Sequence, residues 1–102
     1  MARTRIAALE DVPETGNRAF AVGTHSVLIC RSSAGVFAVE NMCSHQMAAL
    51  EGGKVKGPNL FCPVHGMRFD LRTGAPSGQL TKKHIACYSV TLEDGVVYAD
   101  LP

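Results

Sequence analysis

Ser26-Val27-Leu28-Ile29-Cys30, a turn at Ser33-Ala34-Gly35, then Val36-Phe37-Ala38-Val39: two short apolar runs separated by turn residues read as neighbouring strands. Upstream, Ala19-Phe20-Ala21-Val22 is a third such run, set off by Gly23-Thr24, and the three together predict an antiparallel meander. Toward the other end, Tyr88-Ser89-Val90-Thr91-Leu92 and Val96-Val97-Tyr98-Ala99 flank Asp94-Gly95. Glycine there supplies the positive φ that a tight hairpin demands. No window of a dozen residues carries an apolar stripe at helical spacing, and Met42 to Leu50 has room for one helical turn at most. The expected fold class is all-β.

Between these strands, Gly52, Gly53, Gly57, Pro58, Pro63, Gly66, Gly74, Pro76 and Gly78 crowd into a short span, a density that predicts loops rather than core strands. No repeat or interdomain linker interrupts the chain. With 102 residues, 46% of them hydrophobic, one core and one domain are expected. A formal charge of +1, from 10 basic against 9 acidic residues, gives no overall field for nucleic acid or an anionic membrane. Met1-Ala2-Arg3-Thr4-Arg5-Ile6 lacks the apolar run of a signal peptide, and nowhere do 18 apolar residues follow one another. A soluble, cytoplasmic protein is the expectation.

Two pieces of the loop-rich region carry metal-ligand chemistry. Cys43-Ser44-His45 and Cys62-Pro63-Val64-His65 each offer one thiolate and one imidazole, with sixteen residues between them. A tetrahedral zinc site accepts that ligand set, although C-x-H with C-x-x-H differs from the common zinc spacings. A [2Fe-2S] cluster accepts it too. Thiolates stabilise ferric iron and neutral imidazoles leave their iron electron-poor, so the two irons differ and one takes the electron. In that arrangement Cys43 and Cys62 hold the inner iron, and His45 and His65 hold the outer one, facing the surface as the electron port. Cys30 and Cys87 sit in apolar, strand-like stretches and are expected as buried, inert thiols rather than a disulfide.

The pattern C-x-H, sixteen residues, C-x-x-H-G, met by Cys43, His45, Cys62, His65 and Gly66, resembles the Rieske family. Leu50-Glu51-Gly52-Gly53, Phe69-Asp70 and Arg72-Thr73-Gly74 extend the likeness to the small ferredoxin components of bacterial aromatic ring-hydroxylating oxygenase systems. The resemblance implies an antiparallel β-sandwich base with a small loop-rich cluster-binding subdomain, residues 42–78 or so, inserted within a single domain 1–102. It also implies a third loop over the cluster, Gly74-Ala75-Pro76-Ser77-Gly78. By the same likeness the protein holds one [2Fe-2S] cluster on Cys43, His45, Cys62 and His65. It is then a monomeric carrier and not an enzyme, taking single electrons from an NAD(P)H-dependent flavin-containing reductase. Its acceptor is a terminal Rieske non-haem iron oxygenase of aromatic-compound degradation. Two alternatives stand beside this one: a small Rieske subunit or partner of another redox system, such as a nitrite reductase-like complex, and a structural zinc-binding interaction domain. An oxygenase centre in this chain would need two further histidines and a carboxylate. Only His25 and His84 remain, and both are expected as ordinary polar positions.

Departures from the respiratory branch sharpen the expectation. That branch joins its two ligand loops by a disulfide, where this chain has Ala48 and Val64, and places hydroxyl donors near the cluster, where this chain has Met67 and Phe69. Hydrogen bonds to sulfur stabilise the reduced state, so their loss predicts a low-potential carrier. A near-neutral holoprotein is expected to dock with little long-range steering. The contact surrounds the histidine edges, with Met47, Met67 and Pro76 as rim residues, while Arg68, Arg72, Lys82 and Lys83 are read as solvated charges.

Overall fold

Val27, Leu28, Ile29 and Cys30 are all fully buried. Successive strand residues point to opposite faces, so four buried in a row require cover on both sides of their sheet. The computed structural model, which describes residues 2–44, 48–64, 66–77 and 83–102, supplies that cover. Its strands are β1 (Ala2–Ala8), β2 (Gly16–Val22), β3 (His25–Ser32), β4 (Gly35–Glu40), β5 (Val55–Lys56), β6 (Asn59–Phe61), β7 (Arg68–Asp70), β8 (Pro76–Ser77), β9 (Cys87–Tyr88), β10 (Val90–Glu93) and β11 (Val96–Leu101), with a 3-10 turn at Leu9–Asp11. Every pairing is antiparallel.

The sheet ordered β2-β3-β4-β9 is the middle layer. On one face Val27, Ile29 and Ala38 pack with Ile6, Ala7, Val97, Ala99 and Leu101 from the sheet ordered β1-β11-β10. On the other, Leu28, Cys30 and Val39 pack with Val55, Leu60 and Phe69 from the sheet ordered β5-β6-β7-β8 and with Leu71 just after β7. Each large apolar side chain so buried contributes about 1.5–3 kcal/mol, and the second cluster holds both motif cysteines.

The all-β class, the meander β2-β3-β4 and the terminal hairpin match expectation. Asp94 and Gly95 take φ of 52° and 74°, the pair of positive values that a two-residue type I′ turn needs. Tyr88 to Leu92 is not one strand. Cys87–Tyr88 pairs with β4 and Val90–Glu93 with β11, so the chain changes sheets at Ser89. The glycine-rich span also differs, for it contains the whole β5–β8 sheet. Its strands run two or three residues each, too short to leave a period of two between the turn glycines. The third loop is likewise partly strand, since Pro76 and Ser77 pair with Phe69 and Arg68. Proline is tolerated there because β8 is an edge strand; Gly78 lies outside the described residues.

Candidate metal centre

The first ligand loop leaves β4 at Asn41 and returns at Leu50. Its neck is closed by the Cys43 N–H donating to the Ala48 carbonyl at 2.8 Å. The Asn41 side chain ties the two arms together, its Oδ1 accepting from the N–H groups of Leu50 and Glu51, both at 2.9 Å. Its amide Nδ2 donates to Ser26 Oγ at 3.2 Å, anchoring the loop to the start of β3. Beyond Leu50, Asn17 clamps the chain by accepting from Gly52 N–H (2.9 Å) and donating to the Gly53 carbonyl (2.8 Å), while Glu51 accepts from Ala19 N–H at 2.7 Å. The returning arm is thus registered on edge strand β2. Sequence reasoning passed over Asn17 and Asn41. Asparagine at a loop mouth signals local backbone bonding, but not partners as remote as Gly53.

The second loop joins β6 to β7. Cys62 N–H donates to the Met67 carbonyl at 2.7 Å and Gly66 N–H to the Cys62 carbonyl at 2.8 Å. Gly66, at φ +68°, makes the left-handed bend this tight return requires. Leu71 N–H donates to the Pro58 carbonyl at 2.7 Å, and Ile85 N–H to the Gly74 carbonyl at 3.0 Å. These bonds fasten the following segment beneath the loop.

Cys43 and Cys62 are 2% and 1% exposed and share one apolar cluster with Leu50, Leu60, Met67 and Phe69. His45 and His65 lie outside the described residues, as do Met47 and Lys82. The structure therefore places both expected thiolate donors in one buried cluster. None of the four cysteines is in a disulfide. Beside Cys43 the buried Ser44 Oγ has no hydrogen-bond partner among the described residues. Two buried cysteines in one apolar cluster, with an unsatisfied hydroxyl beside one of them, suit a soft-metal group that takes thiolate ligands from both loops.

Two expectations need correction. Met67 is 4% exposed and so no rim residue, because its side chain packs in the apolar cluster with Cys43 and Cys62. Cys87 is exposed, while Cys30 is buried as expected. Burial pushes the Cys30 thiol up to about 12, with Cys87 adding a smaller repulsion. Cys87 is also raised, chiefly by burial and then by Asp70 and Glu40, and its Sγ donates to the Leu71 carbonyl at 3.6 Å. Both stay protonated near neutrality, consistent with thiols outside the ligand set. Asp70 is held below the usual carboxylate range by its hydrogen bonds from Arg72, an exposed pair of little consequence for stability.

Asn41→Ala should strip two backbone N–H groups of their acceptor and cost about 1–3 kcal/mol, with iron released faster to a chelator. Asn41→Asp keeps the acceptors and should restore retention. Urea unfolding and chelator-monitored iron loss check both, and equal behaviour of the two variants would dismiss the clamp.

A layered β scaffold that buries two cysteines, each at the neck of a loop, in one apolar cluster has the form of a small protein that carries a metal group on its loops. The Rieske [2Fe-2S] domain model matches residues 2–89, and the chain belongs to that family. It is a ferredoxin with a single Rieske-type [2Fe-2S] cluster, an electron-transfer protein. It is similar to ferredoxin CarAc of Metapseudomonas resinovorans, 30% identical over 92% of this chain and 89% of the relative. A ferredoxin component of the naphthalene 1,2-dioxygenase/salicylate 5-hydroxylase systems of a Ralstonia species is 30% identical over 86% of this chain and 85% of its own length. Among solved structures, the ferredoxin of carbazole 1,9a-dioxygenase from Nocardioides aromaticivorans IC177 superposes with a TM-score of 0.87 at 30% identity, covering 97% of each chain. No helix among the described residues is long and apolar enough to cross a membrane.

Proposed function

We propose that this chain is the electron-carrier component of a bacterial aromatic-ring oxygenase system, with Cys43, His45, Cys62 and His65 holding the cluster. The observation that carries the ligand assignment is the burial of both cysteines in one core cluster, on loops whose necks are closed by Cys43 N–H and Cys62 N–H. When bound, the cluster supplies one reversible one-electron couple. Cys43 and Cys62 would bind the inner iron and keep water from it through Leu50, Leu60, Met67 and Phe69, while His45 and His65 would bind the outer iron. Residues 1–102 form a single domain in this proposal, with the cluster-binding part near residues 42–78.

Electrons would come from an NAD(P)H-dependent flavin-containing reductase and pass to a terminal oxygenase. Support comes from relatives named as ferredoxin components of dioxygenase systems, and from a 26%-identical neighbour solved in a complex of reduced oxygenase and oxidised ferredoxin. The carrier is proposed to be cytoplasmic and monomeric. Its contact around the site has Met42 (39% exposed) and Val64 (53% exposed) as apolar rim residues beside Pro76, in the place Met67 was expected to fill. A putative nitrite reductase small subunit shares the fold at 17% identity, a level that speaks for the fold alone.

Iron and acid-labile sulfide analysis, with spectra before and after dithionite, tests the site. The expected result is iron and sulfide with a visible absorption that bleaches on reduction, lost in Cys62→Ser. Zinc without colour would sink the assignment. NADH-driven product formation with reductase and oxygenase should depend on this protein, and dispensability would refute the carrier role.

A further inference from the structure

The charge of the chain is close to balanced overall, yet it is not mixed. Residues 54–83 hold Lys54, Lys56, Arg68, Arg72, Lys82 and Lys83 against one acidic residue, Asp70, whereas the remainder holds four basic against eight acidic residues. The total of +1 therefore conceals +5 over residues 54–83 and −4 over the remainder, and the part near residues 42–78, which also holds Glu51, nets +2. That separation argues against weak steering, because a partner meets the local field rather than the sum.

Strand register gathers part of that excess, Lys54, Lys56 and Arg68 against Asp70, on one surface. Val55, Leu60 and Phe69 are buried and aligned across β5, β6 and β7, so the alternate residues Lys54, Lys56, Arg68 and Asp70 belong to the outer face. Phe61, Arg68 and Ser77 form the rung next to the Cys62–Met67 turn. Phe61 N–H donates to the Lys54 carbonyl at 2.9 Å, which brings Lys54 to that same rung. Lys54, Lys56, Arg68, Arg72 and Lys83 are exposed. Arg72 is paired with Asp70 at 2.9 Å, while Arg68 donates to neutral Ser77 Oγ at 2.8 Å and feels Asp70 only as a weaker, unbonded neighbour.

We propose that this outer face docks a carboxylate-lined protein surface, and that the partner is the electron donor, the flavin-containing reductase; the proposal rests on the electron-carrier role given above. Charge selects donor over acceptor. Two thiolates cancel the charge of the oxidised cluster core, and one added electron makes the basic side less positive by one unit. An acidic surface therefore captures the oxidised carrier and releases the reduced one. On an acceptor, the same surface would retain the spent form. Attraction of this kind acts mainly on the association rate and is screened by salt.

The test is stopped-flow reduction of oxidised holoprotein by the NADH-reduced flavoprotein reductase, across ionic strength, for wild type, Arg68→Glu, Lys54→Glu and Arg5→Glu. Arg5 is exposed on β1, in the opposite layer, and its replacement makes the same change in total charge. Arg68→Glu and Lys54→Glu should each slow the second-order rate by roughly tenfold at low salt, and Arg5→Glu by less than about twofold. The differences should vanish by about 0.5 M salt. A second readout uses no protein partner: dithionite-reduced protein is oxidised by anionic hexacyanoferrate(III) or cationic hexaamminecobalt(III). Arg68→Glu should slow the anion and speed the cation, with Arg5→Glu changing neither appreciably. Equal effects of Arg68→Glu and Arg5→Glu, or slowing of electron delivery to the oxygenase with reduction by the reductase untouched, overturns the proposal. A protein that dithionite cannot reduce would instead refute the electron-carrier role, so the two failures are distinct.

Discussion

Gly74→Ala should cost about 3 kcal/mol, combining left-handed backbone strain with overpacking, and lower the melting temperature by roughly 15 °C. Gly74 has φ +80°, and a Cβ there would fall 2.0 Å from the Ile85 carbonyl oxygen and 3.2 Å from Cys87 Sγ. The contact is not easily relieved. Ile85 N–H donates to the Gly74 carbonyl at 3.0 Å, so moving the backbones apart breaks that bond, and Ile85 is 2% exposed in the cluster that holds Cys43 and Cys62. Loss of stability should therefore be accompanied by faster loss of the cluster. Gly95→Ala is the internal comparison: its φ is +74°, but a Cβ there meets nothing within 4 Å, leaving strain alone at about 1–2 kcal/mol. Urea unfolding of both holoproteins gives the two values. Equal losses would mean that the Ile85 segment yields and that close approach contributes nothing.

Gly74 also marks where the sequence stops being legible. Its presence in Arg72-Thr73-Gly74 suggests a turn, but the chain that crowds it arrives eleven residues later. The same holds for Gly53, whose backbone is not left-handed; a Cβ there would lie 2.2 Å from the Phe61 carbonyl oxygen. Non-local approach leaves no local signature. By contrast, the meander and the Asp94-Gly95 hairpin could be read directly, since β-branched runs and turn residues act over a few positions. Strand β1 escaped because Ala2–Ala8 lacks alternation, mixing Arg3, Thr4 and Arg5 with alanines, and it gains its place by pairing with β11. The motif cysteines stand out from spacing as ligand candidates, while the side chains that hold their loops, Asn17 and Asn41, do not. The basic outer face needed both kinds of information: the charges are in the sequence, and the register that gathers them is in the sheet.

Phe69→Tyr should raise the midpoint potential by about 60 mV, the shift that corresponds to a tenfold change in a one-electron equilibrium. Phe69 is fully buried in the cluster of side chains that includes Cys43 and Cys62, so a hydroxyl added to its ring enters a sulfur-containing apolar site. A buried hydroxyl needs an acceptor, and a thiolate gains most from donation when the site takes on negative charge. The reduced state is stabilised accordingly. Wild type, without that donor and with a thioether at Met67, should titrate in the lower part of the roughly −150 to +300 mV span of Rieske centres. Phenylalanine to tyrosine is a cleaner probe than Met67→Ser, which would open a cavity costing about 2–5 kcal/mol. Redox titration followed by electron paramagnetic resonance reads both proteins. An unchanged midpoint would mean that the hydroxyl bonds elsewhere and that position 69 does not set the potential. A wild-type value near the top of the span would mean that other donors, with the unsatisfied hydroxyl of Ser44 first among them, supply what the missing hydroxyls do not.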